Sequence, residues 1–227
     1  MLKACGAFHL MQRSNWRRQR LLILCYHGIS LADEHEWRPY LYIRAEQLER
    51  SLEILRKGKY SVLPLGEAVE RLYRNDLPPR SVALTFDDGT YDFYRQAYPR
   101  IKQAGFPVTV YLTTYYSEHP LPVFSLICSY MMWKARDRGT VNLSEMGVSH
   151  LVDIGSPEQR YEAVNQLVRW ADAQDISGEQ KNQIAARLAQ LLRIDYQEIV
   201  EPRIPASCSF CLLSSTLELK AFKRAVA

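Results

Sequence analysis

Three runs of largely apolar residues, each separated from the next by an amphipathic helical pattern, limit the folds open to this chain. Residues 21–29, LLILCYHGI, form a nearly continuous apolar run ending in glycine and isoleucine. That is the pattern of a strand buried on both faces, as in a parallel sheet. From Ala45 the apolar residues Leu48, Leu52 and Leu55 share one helical face, with charged neighbours opposite, until Gly58. A short extended piece over residues 60–65 and a helix over 67–74 follow, ended by Pro78 and Pro79. Residues 81–85, SVALT, are the second buried-strand candidate and run into Phe86-Asp87-Asp88-Gly89. Over residues 92–104, Phe93, Ala97 and Ile101 share a face; Pro99 is expected to kink this helix and Gly105 to end it. Residues 107–113, PVTVYLT, complete the series. Strand alternating with helix predicts an α/β architecture with parallel strands.

Beyond Thr114 the pattern becomes helical. Residues 121–135 mix apolar and aromatic side chains densely, as in a buried helix. Ser156-Pro157-Glu158-Gln159 is a helix start, with Ser as cap and Pro in the first turn, and Tyr161, Val164, Leu167 and Val168 supply a stripe. Ser177-Gly178-Glu179-Gln180 repeats the start and Ile184, Leu188 and Leu191 the stripe, so the two read as an inserted helical hairpin. One more helix is expected over residues 214–225, with Leu219 and Phe222, and Val226 just past its end, on its apolar face. The expected divisions are a basic, poorly ordered arm over 1–20, an α/β part over 21–115, a helical insertion over 116–200, and a return segment with a C-terminal helix over 201–227.

Composition narrows the function classes. With 227 residues and 47% of them apolar, the chain can bury a real core, which excludes disordered and small disulfide-framework classes. The balance of 29 basic and 25 acidic residues, +4, is too small to indicate a nucleic-acid partner, and Arg13, Arg17, Arg18 and Arg20 read as a solvated arm. The apolar run at 21–26 is far shorter than the ~20 residues of a membrane span and lacks a small-residue cleavage site. A transmembrane segment and an export signal are therefore not expected, and the cytoplasm is the default compartment. The five cysteines, at 5, 25, 128, 208 and 211, are odd in number and irregular in spacing, so reduced thiols are expected.

The chemistry concentrates in Leu84-Thr85-Phe86-Asp87-Asp88-Gly89. Adjacent carboxylates at the carboxyl end of a buried strand lie where α/β folds place ligands. Neighbouring strand residues point to opposite faces, so a shared site needs a turn, which Gly89 permits. One carboxylate can then hold a divalent metal while the other accepts a proton from water. Taken alone, Asp-Asp-Gly also describes a polar turn that merely closes the strand.

Together with Tyr26-His27-Gly28-Ile29 before it and Pro107-Val108-Thr109-Val110-Tyr111-Leu112 after it, this stretch resembles the polysaccharide deacetylases, the NodB-homology enzymes of carbohydrate esterase family four. The resemblance covers residues 21–115 in order. Thr113-Thr114-Tyr115-Tyr116 with Pro122-Val123-Phe124 is similar to a subgroup with a helical insertion after this strand. The resemblance implies a partial distorted β/α barrel and hydrolysis of N-acetyl, sometimes O-acetyl, groups on a glycan. It implies Asp87 as general base, Asp88 as ligand to a divalent metal such as zinc, and a histidine from a later motif as acid. His27, Tyr26 and Gly89 are further candidates for lining the site, with a carbonyl-bonded structural role as the alternative for His27.

The chain departs from that family in its histidines. They stand at 9, 27, 35, 119 and 150, and no two lie three to five residues apart, so the paired-imidazole segment is missing. The expectation is a chain that ends at Ala227 before its metal site is completed, through a stop, a frameshift, a gene boundary or a genuine loss of activity. An exposed barrel edge and self-association follow from that expectation. A catalytically inactive remnant or glycan-binding module, using Tyr115, Tyr116, Tyr130 and Trp133, is the alternative, as is a histidine strand supplied by another chain. The resemblance also allows an envelope-associated role. His119 and His150 read as surface residues, and Cys208-Ser209-Phe210-Cys211 lacks the second pair that a structural zinc site needs.

Overall fold

The computed structural model describes residues 20–113, 115, 116, 119, 121–148, 151–201 and 217–222. In chain order the elements are β1 (Leu22–Tyr26), β2 (Gly28–Ile29), α1 (Glu34–Trp37), β3 (Tyr42–Ile43), α2 (Ala45–Lys57), β4 (Ser61–Val62), α3 (Leu65–Tyr73) and β5 (Ser81–Phe86). A π-helical turn (Phe93–Ala97) leads into α4 (Tyr98–Ala104) and β6 (Val108–Thr113). Then come α5 (Phe124–Lys134), β7 (Thr140–Asn142), β8 (Leu151–Asp153), α6 (Pro157–Ala173), α7 (Gly178–Leu191), α8 (Tyr196–Val200) and β9 (Leu217–Phe222). They fall into two compact units, Met1–Ser117 with Ser209–Ala227, and Glu118–Cys208. Residues 1–19 of the expected 1–20 arm, most of the 201–227 return segment, His150 and the Cys208–Cys211 pair lie outside the described residues.

The first unit is built on a parallel sheet ordered β1-β5-β6-β9, with β4 also paired to β5. β5 is central: Leu22–Tyr26 run beside Val82–Phe86, Ser61 and Val62 beside Ser81 and Val82, and Thr85 and Phe86 beside Thr109 and Val110. All six β5 residues are buried. Even-numbered Val82, Leu84 and Phe86 join Leu48, Leu52 and Leu55 of α2 and Phe93, Ala97 and Ile101 in the main core. Odd-numbered Ala83 packs on Leu65 and Ala68 of α3. Helices on both faces account for the uninterrupted burial of β5. Each fully buried large side chain contributes about 1.5–3 kcal/mol.

β1 does not meet the expectation of burial on both faces. Ile23 is 48% exposed and Cys25 is exposed, while Leu22, Leu24 and Tyr26 pack on the core. Among the described residues β1 pairs only with β5, so it is an edge strand with one covered face, despite its apolar sequence. Helix 92–104 is interrupted as expected, but ahead of Pro99: the amide of Tyr98 donates to the carbonyl of Phe93, a one-residue widening that relieves the clash of the proline ring with the preceding turn. Gly105 then ends α4 at φ 71°.

The helix expected over 214–225 is corrected to a strand where the chain is described. Leu217–Phe222 is β9, paired in parallel with Val108–Thr113 over six residues. In Leu-Glu-Leu-Lys-Ala-Phe the apolar residues Leu217, Leu219 and Ala221 alternate with Glu218 and Lys220, a period of two, and the open edge of β6 supplies the backbone partners.

In the second unit α5 buries Phe124, Ile127, Cys128, Tyr130, Met131 and Met132. Ser156 caps α6 by accepting from the amide of Gln159, and Ser177 with Gln180 forms a reciprocal capping box on α7. The stripe of α6 is Ala163, Val164, Leu167 and Ala171; Tyr161, expected in it, is 67% exposed. No helix among the described residues is long and apolar enough to cross a membrane.

Candidate functional site

The strand-end turn is built by two consecutive left-handed residues, Asp88 at φ 68° and Gly89 at φ 60°. Asp tolerates this region better than most residues and Gly adopts it freely, which explains the residue order. The amide of Asp87 donates to the carbonyl of Tyr26 at 2.9 Å, which extends the β1–β5 ladder one residue beyond Phe86. The amide of Gly89 donates to the carbonyl of Asp87, also at 2.9 Å, and that of Thr113 to the carbonyl of Asp88 at 3.4 Å. A Cβ on Gly89 would stand 2.6 Å from Leu112 Cδ1, so the turn also lies close against β6.

The ladder puts Asp87 beside the end of β1. Its Oδ2 lies 3.5 Å from His27 Nε2 and accepts from Cys25 Sγ at 3.5 Å. The His27 and Asp87 side chains are 42% and 36% exposed, so a solute can reach both. Cys25 Sγ, a ring nitrogen of His27 and a carboxylate oxygen of Asp87 all lie within 4.8 Å of one another. Partial burial raises the Cys25 thiol pKa; a hydrogen bond from Thr85 opposes this, and the Asp87 carboxylate adds to it.

Behind the turn stands Asp92, at the head of the π-helical turn. Its carboxylate accepts from the amide of Ile29 at 2.6 Å and ties β2 to the segment that follows Asp-Asp-Gly. Burial raises its pKa to about 6 against the hydrogen bonds from Thr90 and Ile29, with the charge of Glu34 a smaller contribution in the same direction as burial. Nothing in the sequence pattern separates Asp92 from an ordinary helix-start acid.

The sequence candidates divide as follows. Asp87 and His27 come together. Tyr26, expected to line the site, does not: its ring stacks on Phe86 at 5.1 Å within the core, because strand neighbours alternate and Cys25 and His27 take the other face. Only its carbonyl serves the site. Gly89 shapes the turn. Asp88 is exposed, and its Oδ1 accepts from Thr113 Oγ1 at 3.4 Å. The zinc set implied by the resemblance, Asp88 with two imidazoles, is not assembled by the described residues, whose cluster of three or more donors is Cys25, His27 and Asp87. Cys25 was missed by sequence reasoning, although its spacing of two from His27 in a strand places both on one face.

Of the four aromatics considered as a sugar platform, Tyr130 is buried and stacks on Trp133 in the second unit. Tyr115 and Tyr116 are 45% and 37% exposed and meet edge to face at 5.2 Å. The Tyr116 pKa is raised, chiefly by partial burial and then by Tyr115 and the Asp88 carboxylate. His119 lies in the second unit, where its charge helps lower the pKa of Glu179 after the hydrogen bonds at that helix start.

The polysaccharide deacetylase family model matches residues 74–186, a span that contains the Asp-Asp-Gly turn and β6. Residues 74–186 belong to the polysaccharide deacetylase family. YxkH of Bacillus subtilis (strain 168), which carries the provisional name of a polysaccharide deacetylase, is 32% identical over 94 residues, 41% of this chain and 32% of YxkH. Solved relatives include IcaB from Ammonifex degensii, 28% identical over 40% of this chain and 37% of IcaB with a TM-score of 0.35. The Streptococcus pyogenes deacetylase PplD, solved in complex with acetate, is 31% identical over 43% of this chain and 44% of PplD with a TM-score of 0.40. The match to this deacetylase family thus spans about a third of the length of the curated relative.

Proposed function

We propose that the chain carries the strand-end carboxylate of a hydrolase that removes N-acetyl, or in some substrates O-acetyl, groups from a glycan, with Asp87 as general base. Asp87 Oδ2 accepts a proton from water, the water oxygen bonds to the acetyl carbon, and the carbon–nitrogen bond breaks as the proton passes to the departing amine. The products are acetate and a free amino sugar. A positioned base of this kind contributes about 10²–10⁴-fold to the rate. The observation that carries this reading is the position of Asp87: held by Tyr26 at the end of a central parallel strand, beside His27, and open to solute. Zinc is the ion the resemblance implies and Asp88 its implied ligand. The chemistry assigned here to the chain's own residues is proton transfer at Asp87 Oδ2.

The alternative, a glycan-binding module without turnover, draws on the exposed Tyr115–Tyr116 pair, since sugar rings stack on aromatic faces. Acetate release from an N-acetylated chitin oligomer separates the two. Release that Asp87→Asn abolishes supports the hydrolase; binding without release by the wild-type chain supports the module. Self-association through β1, whose outer edge pairs with no strand among the described residues, belongs to the same proposal. Light scattering tests it, and a monodisperse monomer contradicts it.

A further inference from the structure

We propose that Cys25, His27 and Asp87 form a binding site for a thiophilic divalent cation of the zinc type, distinct from the ligand set that the family resemblance assigns to Asp88. Two of the three donor separations, those from Asp87 Oδ2, match tetrahedral edges, and Cys25 Sγ and a His27 ring nitrogen lie within 4.8 Å of one another. With zinc–sulfur and zinc–oxygen bonds of about 2.3 and 2.0 Å, the sulfur–oxygen edge of a tetrahedral site is about 3.5 Å, and the nitrogen–oxygen edge is about 3.3 Å. The observed separations from Asp87 Oδ2 are 3.5 Å to Cys25 Sγ and 3.5 Å to His27 Nε2, so an ion enters with small side-chain adjustments.

The scaffold holds the donors in that arrangement. Cys25 and His27 stand two residues apart at the end of β1, and therefore on one face. Asp87 follows β5, whose register pairs Cys25 with Thr85 and Tyr26 with Phe86, so His27 and Asp87 leave the ladder side by side. The Tyr26–Asp87 backbone bond fixes that relation before any ion arrives. A thiolate, an imidazole and a carboxylate suit zinc and its thiophilic neighbours and disfavour magnesium and calcium, which take oxygen donors. The exposure of His27 and Asp87 supplies an entry path and leaves a fourth position for water or another ligand.

The claim of binding stands without the deacetylase reading, but its consequence for activity rests on it. An ion at this site takes the same Oδ2 that the hydrolase reading uses as base, so occupancy and base catalysis exclude one another. Thiophilic cations in excess should then inhibit.

The test is titration of the full reduced chain with cobalt(II) chloride, followed by thiolate-to-cobalt charge-transfer absorption. One equivalent should develop the band. Cys25→Ser should lose it with the circular dichroism unchanged, His27→Ala and Asp87→Asn should each weaken binding roughly tenfold or more, and Cys208→Ser with Cys211→Ser should leave it intact. A folded wild-type chain without the band, or a band that survives in Cys25→Ser, overturns the site. If Cys25→Ser does not fold, zinc protection of the wild-type Cys25 thiol from maleimide, read by peptide mass, decides: protection supports the site and undiminished alkylation overturns it. A cobalt–thiolate band without acetate release sustains the site while the hydrolase reading fails, and acetate release without the band does the reverse.

Discussion

Asp92→Asn isolates a buried carboxyl whose charge opposes folding. The wild-type carboxyl is buried, accepts a 2.6 Å hydrogen bond from Ile29, and has its pKa raised to about 6 from an ordinary 3.8. Raised in the fold, it binds a proton more tightly folded than unfolded. Its favourable contribution is therefore complete below about pH 3.8 and is lost as the pH rises through about 6. The difference between the two values corresponds to about 3 kcal/mol, of which about 2 kcal/mol is traversed between pH 8 and pH 4. Asparagine keeps an oxygen to accept from Ile29 but does not titrate in this range. Urea unfolding of both chains across this pH range should show the wild type gaining about 2 kcal/mol on Asp92→Asn as the pH falls. Exposed acids such as Glu53 and Glu179, whose pKa values are lowered, act alike in both chains and cancel in the difference. Parallel pH profiles would refute the assignment of a raised pKa to Asp92.

Two further substitutions test the turn and the second unit. Gly89→Ala forces a side chain into φ 60° and toward Leu112, and should cost about 1–2 kcal/mol in denaturant unfolding; an unchanged midpoint contradicts the turn geometry. Ser177→Ala removes one arm of the α7 capping box and should cost about 1 kcal/mol, read as a lower thermal midpoint, whereas an unshifted midpoint removes the cap from the account.

Much of the architecture is legible in the residues because burial on two faces leaves a direct trace. The fully buried run at β5 and the helices ended by Gly58 and Gly105 follow from local pattern and backbone chemistry. β1 shows the limit: an apolar run has one exposed face, because only the tertiary neighbours decide whether a strand is central or an edge. β9 shows another, since a short alternating segment acquires its state from the open edge of β6. At the site, Asp87 and Gly89 are readable from motif and turn chemistry. The company Asp87 keeps depends on the β1–β5 register, which brings Cys25 and His27 to it and turns Tyr26 away.

The most direct measurement is acetate release from an N-acetylated chitin oligomer by the full chain, wild type against Asp87→Asn, with folding of both confirmed by circular dichroism. Asp87 as general base predicts release by the wild type and a loss of about 10²–10⁴-fold in the variant. No release by the wild type, or an Asp87→Asn chain as fast as its parent, contradicts it.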